Sequence, residues 1–449
     1  MKNFVLVAVL LSVGMLSFAQ DAKQETKYRR SSLYTIMLPD EKLTGEQKEL
    51  VSEAFLTKVF PDKYNNHCLS ERILDLTQIK AIEVTDDEIK AAEAAGAKGA
   101  KKGLGGMLGG LGKKAVAQNG DGKQEDNSDA AYVAKLQKYF KEQKTAQKLI
   151  AKWLGGDETK PSKAQPYNPA LIEERGLQTL SKEELDRAKS EAGGEAALIA
   201  SAMDDLLPKT FVMVNRYAYL SAEEIMAYVT AAASAVGGGY AALGGAVLGS
   251  VLKGYFVKTN TYLFQLDLDK DKIMVLGEKY IEDISGLYDD DSYQLKYVGK
   301  TWDYAPAALK LSINEDALKK LISRATVRAT DDAIAKLQAK YPDFKTLATL
   351  HQDGEQLFAF VGMKEGVKKG DKFEVLQKSI NKQGKEEFKV VKTIKVEKDG
   401  LCDNREGAGE VIEGAASAKE EKDANAALKY TKLGTSKDFL EGSLIRQVK

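Results

Sequence analysis

The chain has few of the residues on which several large protein classes depend. Two cysteines among 449 residues are too few for a disulfide scaffold, so stability must come from apolar burial. Cys68 and Cys402 can pair in an oxidising compartment and join the two ends of the chain; otherwise they are small buried residues. There are only two histidines, His67 and His351. That excludes a three-His metal site and leaves any Ser or Cys nucleophile just two candidate bases. His67 adjoins Cys68, but side chains adjacent in sequence seldom face one another, so no catalytic pair is expected there. Trp153 and Trp302 are few for a sugar-binding cleft, although 19 tyrosines can supply stacking surfaces. Net charge is also absent, with 66 basic and 66 acidic residues. An evenly mixed surface offers no field to hold a polyphosphate, which argues against nucleic acid as a partner.

At the N-terminus, Lys2 precedes an apolar run from Phe4 to Met15, and Ser17-Phe18-Ala19 sets small residues at a cleavage site. The run is too short to cross about 30 Å of hydrocarbon. The pattern predicts a signal peptide over 1–19 and an exported protein: periplasmic, associated with the outer membrane, or secreted. No Cys follows the cut to carry a lipid.

Beyond a polar arm at 20–31, Ser32 to Leu38 reads as a strand. Thr44 and Gln47 form a T-x-x-Q capping box before the stripe Leu50, Val51, Ala54, Phe55 and Val59, which Pro61 ends. A second box, Thr85 and Glu88, opens a helix toward Ala95. From 96 to 129 the chain is mostly Gly, Ala, Lys and short polar residues and predicts a flexible insertion. Its Lys98, Lys101, Lys102, Lys113 and Lys114 are the residues that would touch a membrane surface. Val133, Leu136, Phe140, Ile150 and Trp153 predict an amphipathic helix closed by Gly155. Ser181 and Glu184 open another, toward Leu207.

Thr210 to Tyr219 predicts a strand, and Ser221 caps a charge-free run from Ile225 to Leu252. Tyr255 to Leu268 and Ile273 to Leu276 predict the two arms of a β-hairpin. Helices are predicted at 314–324 and 331–341. Short strands follow at Leu357 to Val361, Phe373 to Leu376, Phe388 to Val396 and Ser443 to Val448. The fold class is thus α+β: an α-rich region over 32–205, an αβ region over 206–343, and a small β-barrel over 344–449.

The phrase Gly362-x-x-x-Gly366-x-x-x-Gly370-Asp371-x-Phe373-x-Val375, with the late strand Gly442 to Arg446, resembles the SH3-like barrels of bacterial envelope-assembly proteins. The phrases Tyr34-Thr-Ile-Met-Leu38, Phe211-Val-Met-Val-Asn215 and Lys258 to Leu266 resemble a group of exported Bacteroidetes proteins. The first resemblance implies an SH3-like terminus; the second implies no activity and no catalytic residues.

Candidate chemistry is sparse. Asp267, Asp269, Asp271 and Glu278 hold positions 1, 3, 5 and 12 of a calcium loop, but position 6, which should be Gly, is Lys272. Gly245 and Gly249 form a close-packing pair in the charge-free run, which is long enough to span a bilayer. Its Gly237-Gly238-Gly239 break favours a buried hairpin instead. Glycine-rich phosphate loops fail for want of a following Ser or Thr. Asp289-Asp290-Asp291 is the densest acidic cluster and reads as a solvated turn. No cofactor is implied. The leading expectation is a non-catalytic cell-envelope adaptor or assembly factor of a Gram-negative bacterium, whose barrel contacts another envelope protein. The alternatives are a periplasmic hydrolase with a carboxylate pair and a protein inserting into the membrane through 225–252.

Overall fold

A computed structural model of the chain describes residues 30–101, 129–156, 158, 171–172, 190, 203–225, 255–280, 283–308, 315–380, 386–410, 428–438 and 440–448. Strand β1 (Ser31–Pro39) leads to α1 (Gly45–Thr57), β2 (Tyr64–Asn66), α2 (Leu76–Ala81), α3 (Asp86–Lys101), α4 (Asp129–Glu142) and α5 (Thr145–Trp153). Next come β3 (Thr210–Ser221), β4 (Tyr255–Leu266), α6 (Lys270–Tyr280), β5 (Leu295–Ala308) and α7 (Glu315–Lys340). The C-terminal unit holds β6 (Ala348–Thr349), β7 (His351–Asp353), β8 (Gln356–Ala359), β9 (Lys372–Ile380), β10 (Glu386–Lys395), β11 (Thr431–Thr435) and β12 (Leu444–Val448).

The protein is α+β. A five-stranded sheet runs β2-β1-β3-β4-β5, with β1 parallel to both neighbours and β3 to β5 antiparallel. Alternating side chains bury both faces, since successive strand residues point oppositely. Leu33, Phe211, Met213 and Leu263 pack with Ile334 and Leu337 of α7, while Met37, Tyr217 and Val257 join Val51 and Phe55 of α1. On the other face, Tyr34, Ile36, Leu38, Val212 and Phe264 meet α4, α5 and α6. Because β1 and β2 share this sheet with β3 to β5, one three-layered body spans the division expected at 205/206.

Several local expectations are met. Thr85 and Glu88 close their box: the Thr85 amide donates to Glu88 Oε2 at 2.7 Å and the Glu88 amide to Thr85 Oγ1 at 3.3 Å. Ser221 does the same with Glu224, at 2.9 and 3.3 Å. Thr44, by contrast, sits at the α1 N-cap without a side-chain bond, so the predicted T-x-x-Q box does not form although the helix does. Val59 is 73% exposed and lies beyond that helix.

Four corrections have physical causes. The apolar run 273–276 is helical, not the second arm of a hairpin: Asp269 Oδ1 accepts the Lys272 amide at 2.9 Å, and Ile273, Leu276 and Tyr280 bury at helical spacing. The helices expected at 314–324 and 331–341 are one, α7. Its intervening threonines are accommodated within the helix, their buried hydroxyls satisfied by the turn before: Thr326 donates to the Ile322 carbonyl at 2.8 Å and Thr330 to the Thr326 carbonyl at 2.6 Å. The helix expected from Val133 to Trp153 is split into α4 and α5 at Lys144, whose φ is 53°. Finally, the start of the expected Gly/Lys insertion continues α3 as far as Lys101. Strand β5 has no counterpart in the sequence reading; Gly299 and Pro306 mask it, and an edge strand tolerates both.

In the C-terminal unit the strands pair as two open sheets, β10-β9-β12-β6 and β11-β8-β7. Both contribute to one core, with Leu357, Val361, Val367, Phe373, Val375, Leu433 and Ile445 at its centre. The glycine-spaced phrase is built as read: Gly366 and Gly370 have φ of 72° and 82°, a conformation that L side chains rarely adopt. Residues 1–29, the 102–128 part of the insertion, the Ser181/Glu184 box and most of 225–252, with Gly245 and Gly249, lie outside the described residues. Among the described residues no helix is long and apolar enough to cross a membrane.

Candidate functional site

Where the C-terminal unit meets the body, a cleft of about 270 Å³ opens between α7 and the turn at 360–365. The chain leaving α1 forms its floor. Tyr64, stacked on Phe344 with ring centroids 5.0 Å apart, donates to the Phe344 carbonyl at 3.0 Å and accepts from Gln338 Nε2 at 2.7 Å. The opposite wall is knitted through Glu365 and Asn404. Glu365 Oε2 accepts the Gly362 amide at 2.7 Å and Asn404 Nδ2 at 2.9 Å, and Asn404 Oδ1 accepts the Lys364 amide at 2.9 Å. A Cβ at Gly362 would collide with Asn404 and the Cys402 carbonyl, so this close approach requires glycine.

The charges in the cleft are unequally committed. Asp331 is ion-paired with Lys58, both side chains at least 93% buried. Glu365 is held by the two donors above. Lys63, Lys364 and Lys429 line the same space, and none of their side chains makes a hydrogen bond or ion pair with a described residue. Burial holds Lys63 below the usual lysine range, with the Glu365 carboxylate acting the other way.

Phe360 continues from the cleft onto the outer face of the β11-β8-β7 sheet and is 50% exposed. It belongs to a cluster with His351, Phe358 and Tyr430, whose ring centroids lie between 4.3 and 6.1 Å apart. His351 Nδ1 lies 3.2 Å from Glu441 Oε1.

The sequence-derived candidates come together nowhere. Asp267 pairs with Lys272 at 2.9 Å and with Lys296 at 3.6 Å, and Asp269 is used as a helix cap. Asp271 and Glu278 lie on α6, so the segment is strand, turn and helix instead of a calcium loop. Among the described residues no group of three or more His, Cys, Asp or Glu is placed to hold a metal ion. Cys68 and Cys402 are free thiols, so the disulfide does not form. Cys402 Sγ donates to the Leu428 carbonyl at 2.8 Å, and burial pushes its thiol up to about 11, the opposite of an activated nucleophile. His67 is fully buried against Trp153, and its Nε2 lies 2.9 Å from the Leu149 carbonyl.

The acidic run is likewise engaged. Asp290 accepts the Ser292 amide at 3.0 Å and the Tyr280 hydroxyl at 2.7 Å; the Ser292 side chain first, then these two donors, bring its carboxyl down to about 2 against the effect of burial. Asp291 pairs with Lys144 at 2.6 Å. The carboxyl with the character of a general acid is Asp332. Burial first, then the charges of Asp303 and Asp331, push it up to about 6, opposed by Lys336 and Arg405. Asp303 is itself ion-paired with Lys336 at 2.6 Å, and the cleft is lined by Asp331 and not by Asp332. The cluster is therefore electrostatic strain, not an acid–base pair facing this cleft. A raised folded-state value contributes stability that is full below 3.8 and lost as pH rises through about 6. Asp332→Asn is accordingly expected to raise the urea midpoint at pH 7, with the gain shrinking as pH falls from about 6 toward 3.8. Urea melts of both proteins across that window check it; a gain independent of pH would sink the assignment.

Lys63, Lys364, Lys429, Phe360 and Tyr430 were not legible as site residues. Lysines in turns read as solvated charge, and only the glycine spacing after Phe360 marks a chain held in a fixed bend. Compared with known proteins, the chain matches no protein-family model and no curated protein.

Proposed function

We propose that the protein is a non-catalytic, exported adaptor or assembly factor of the bacterial cell envelope, acting through its C-terminal unit. The observation that carries this is the aromatic cluster of His351, Phe358, Phe360 and Tyr430, with Phe360 half exposed at the mouth of the cleft. Aromatic side chains carry a large area to bury, and they are enriched at the centres of protein interfaces. The SH3-like reading of residues 344–449 is kept as part of the proposal. Two small sheets packed on one core, and glycine turns at Gly366 and Gly370, support it. The hydrolase reading finds no support in Asp332, which does not line the cleft.

A photo-crosslinking residue at position 360, introduced into the full chain in its native host, tests the proposal. The expected product is one discrete heavier adduct, absent when the same residue replaces exposed Met274 on α6. No adduct at 360, or the same ladder from both positions, overturns it. Deletion of 344–449 that leaves a co-purifying partner bound would also remove the role from this unit.

A further inference from the structure

We infer that the cleft between α7 and the C-terminal unit receives an acidic peptide segment of the partner, with carboxylates on Lys63, Lys364 and Lys429 and an apolar side chain against Phe360. This rests on the docking role proposed above and names the chemistry that the docked segment must carry.

Charge is the first argument. Lys63, Lys364 and Lys429 line the cleft with Asp62, Asp331 and Glu365, and Lys58 reaches Asp331 without itself lining it. The carboxylates are already used: Asp331 by Lys58, Glu365 by Gly362 and Asn404. Asp62, too, has an interaction of its own. The side chains of Lys63, Lys364 and Lys429 make no hydrogen bond or ion pair with a described residue. Lys63 is the telling one, because it is partly buried, which is costly for a cation, and the carboxylate that opposes its loss of water, Glu365, is already held by the Gly362 amide and Asn404. An incoming carboxylate removes that cost and forms a charge-assisted hydrogen bond, about twice as strong as a neutral one.

Size is the second. Pockets for drug-sized molecules run from about 300 to 1,000 Å³. At about 270 Å³ the cleft falls below that range and suits one or two side chains, not a nucleotide or an oligosaccharide. Lysine is a compact point charge without the planar fork that favours bidentate phosphate binding, so a carboxylate is served equally well. The third argument is continuity. Phe360 belongs both to the cleft lining and to the exposed aromatic cluster, so a chain entering the cleft runs directly over that surface.

The probe is the peptide N-acetyl-Phe-Glu-Glu amide, titrated calorimetrically into the full chain, beside its N-acetyl-Phe-Gln-Gln counterpart and inorganic phosphate. Saturable binding of the acidic peptide is expected, with none from the Gln counterpart. Lys63→Met should weaken it about tenfold, the size of one lost charge-assisted contact. Lys364→Glu, on a surface turn, should do the same, so a folding defect at Lys63 does not decide the matter. Phe360→Ala should also weaken binding, and added salt should weaken it further. Equal binding of both peptides, unchanged affinity in both lysine variants, or no heat at all overturns the inference. Phosphate binding while the peptide stays silent makes this a small-anion site and overturns it too. A crosslink at 360 that survives Lys63→Met, with no peptide binding, would reject the acidic segment while leaving the docking role intact.

Discussion

Asp331→Ala should lower the stability of the folded chain by about 3–5 kcal/mol, the range for breaking a buried ion pair from one side. Lys58 lies just past the C-terminus of α1, where its backbone amide still bonds to the Ala54 carbonyl at 3.0 Å. Its side chain reaches Asp331 in the middle of α7, and the two side chains are 7% and 5% exposed. Burial already pulls the Lys58 pKa down, and Asp331 is the main influence that opposes it. Removing the carboxylate leaves a buried ammonium with only the weaker influence of Glu406 to oppose the loss of water. Replacing both members, with Lys58→Met and Asp331→Leu, should recover most of the loss, because an apolar pair of similar volume is often neutral or better. Urea unfolding of the single and double variants gives the comparison. A loss below about 1 kcal/mol for Asp331→Ala, the range of surface pairs, would show that the pair is solvated after all.

Gly299→Ala is the second large effect. Gly299 lies at a bulge where β5 loses register with β4 between Leu263 and Phe264, and the buried Tyr341 ring sits directly over it. A Cβ at this position would overlap the Tyr341 hydroxyl and ring. That hydroxyl also accepts the Lys300 amide at 3.1 Å, so the ring cannot swing away without losing a bond. Overpacking of this kind typically costs about 1–3 kcal/mol. Against a Tyr341→Ala background the same glycine change should cost less, since the clash no longer exists and only the φ of 158° still disfavours a side chain. Equal costs in the two backgrounds would place the strain in the backbone instead of in the ring contact.

How much was legible depended on whether the signal was local. The strands from Ser31 and Thr210 were readable from their local runs of β-branched and aromatic residues, although their partners lie far along the chain; the Thr85/Glu88 box and the glycine turns at 366 and 370 were readable because each is satisfied within a few residues of its own sequence. The run 273–276 misled because four apolar residues fit a strand or a buried helix equally well; the cap from Asp269 and the burial of Tyr280 settle it. Strand β5 was hidden by Gly299 and Pro306, whose tolerance depends on its edge position and on the contact with Tyr341. The calcium spacing failed for a related reason: ligand spacing has meaning only on the right backbone, and here lysines reach the carboxylate of Asp267 first.

The sequence by itself determined the α+β class, the lack of net charge, and the scarcity of histidine and cysteine that excludes a three-His metal site and a disulfide scaffold. These follow from composition and short-range periodicity, which need no knowledge of what lies across the fold. Only the tertiary structure decided that β1 joins β3 in one sheet, that Lys58 meets Asp331, and that Lys63, Lys364 and Lys429 converge beside Phe360. Those contacts link residues far apart in the chain, and whether a charge is paired or left open is a property of its neighbours in space.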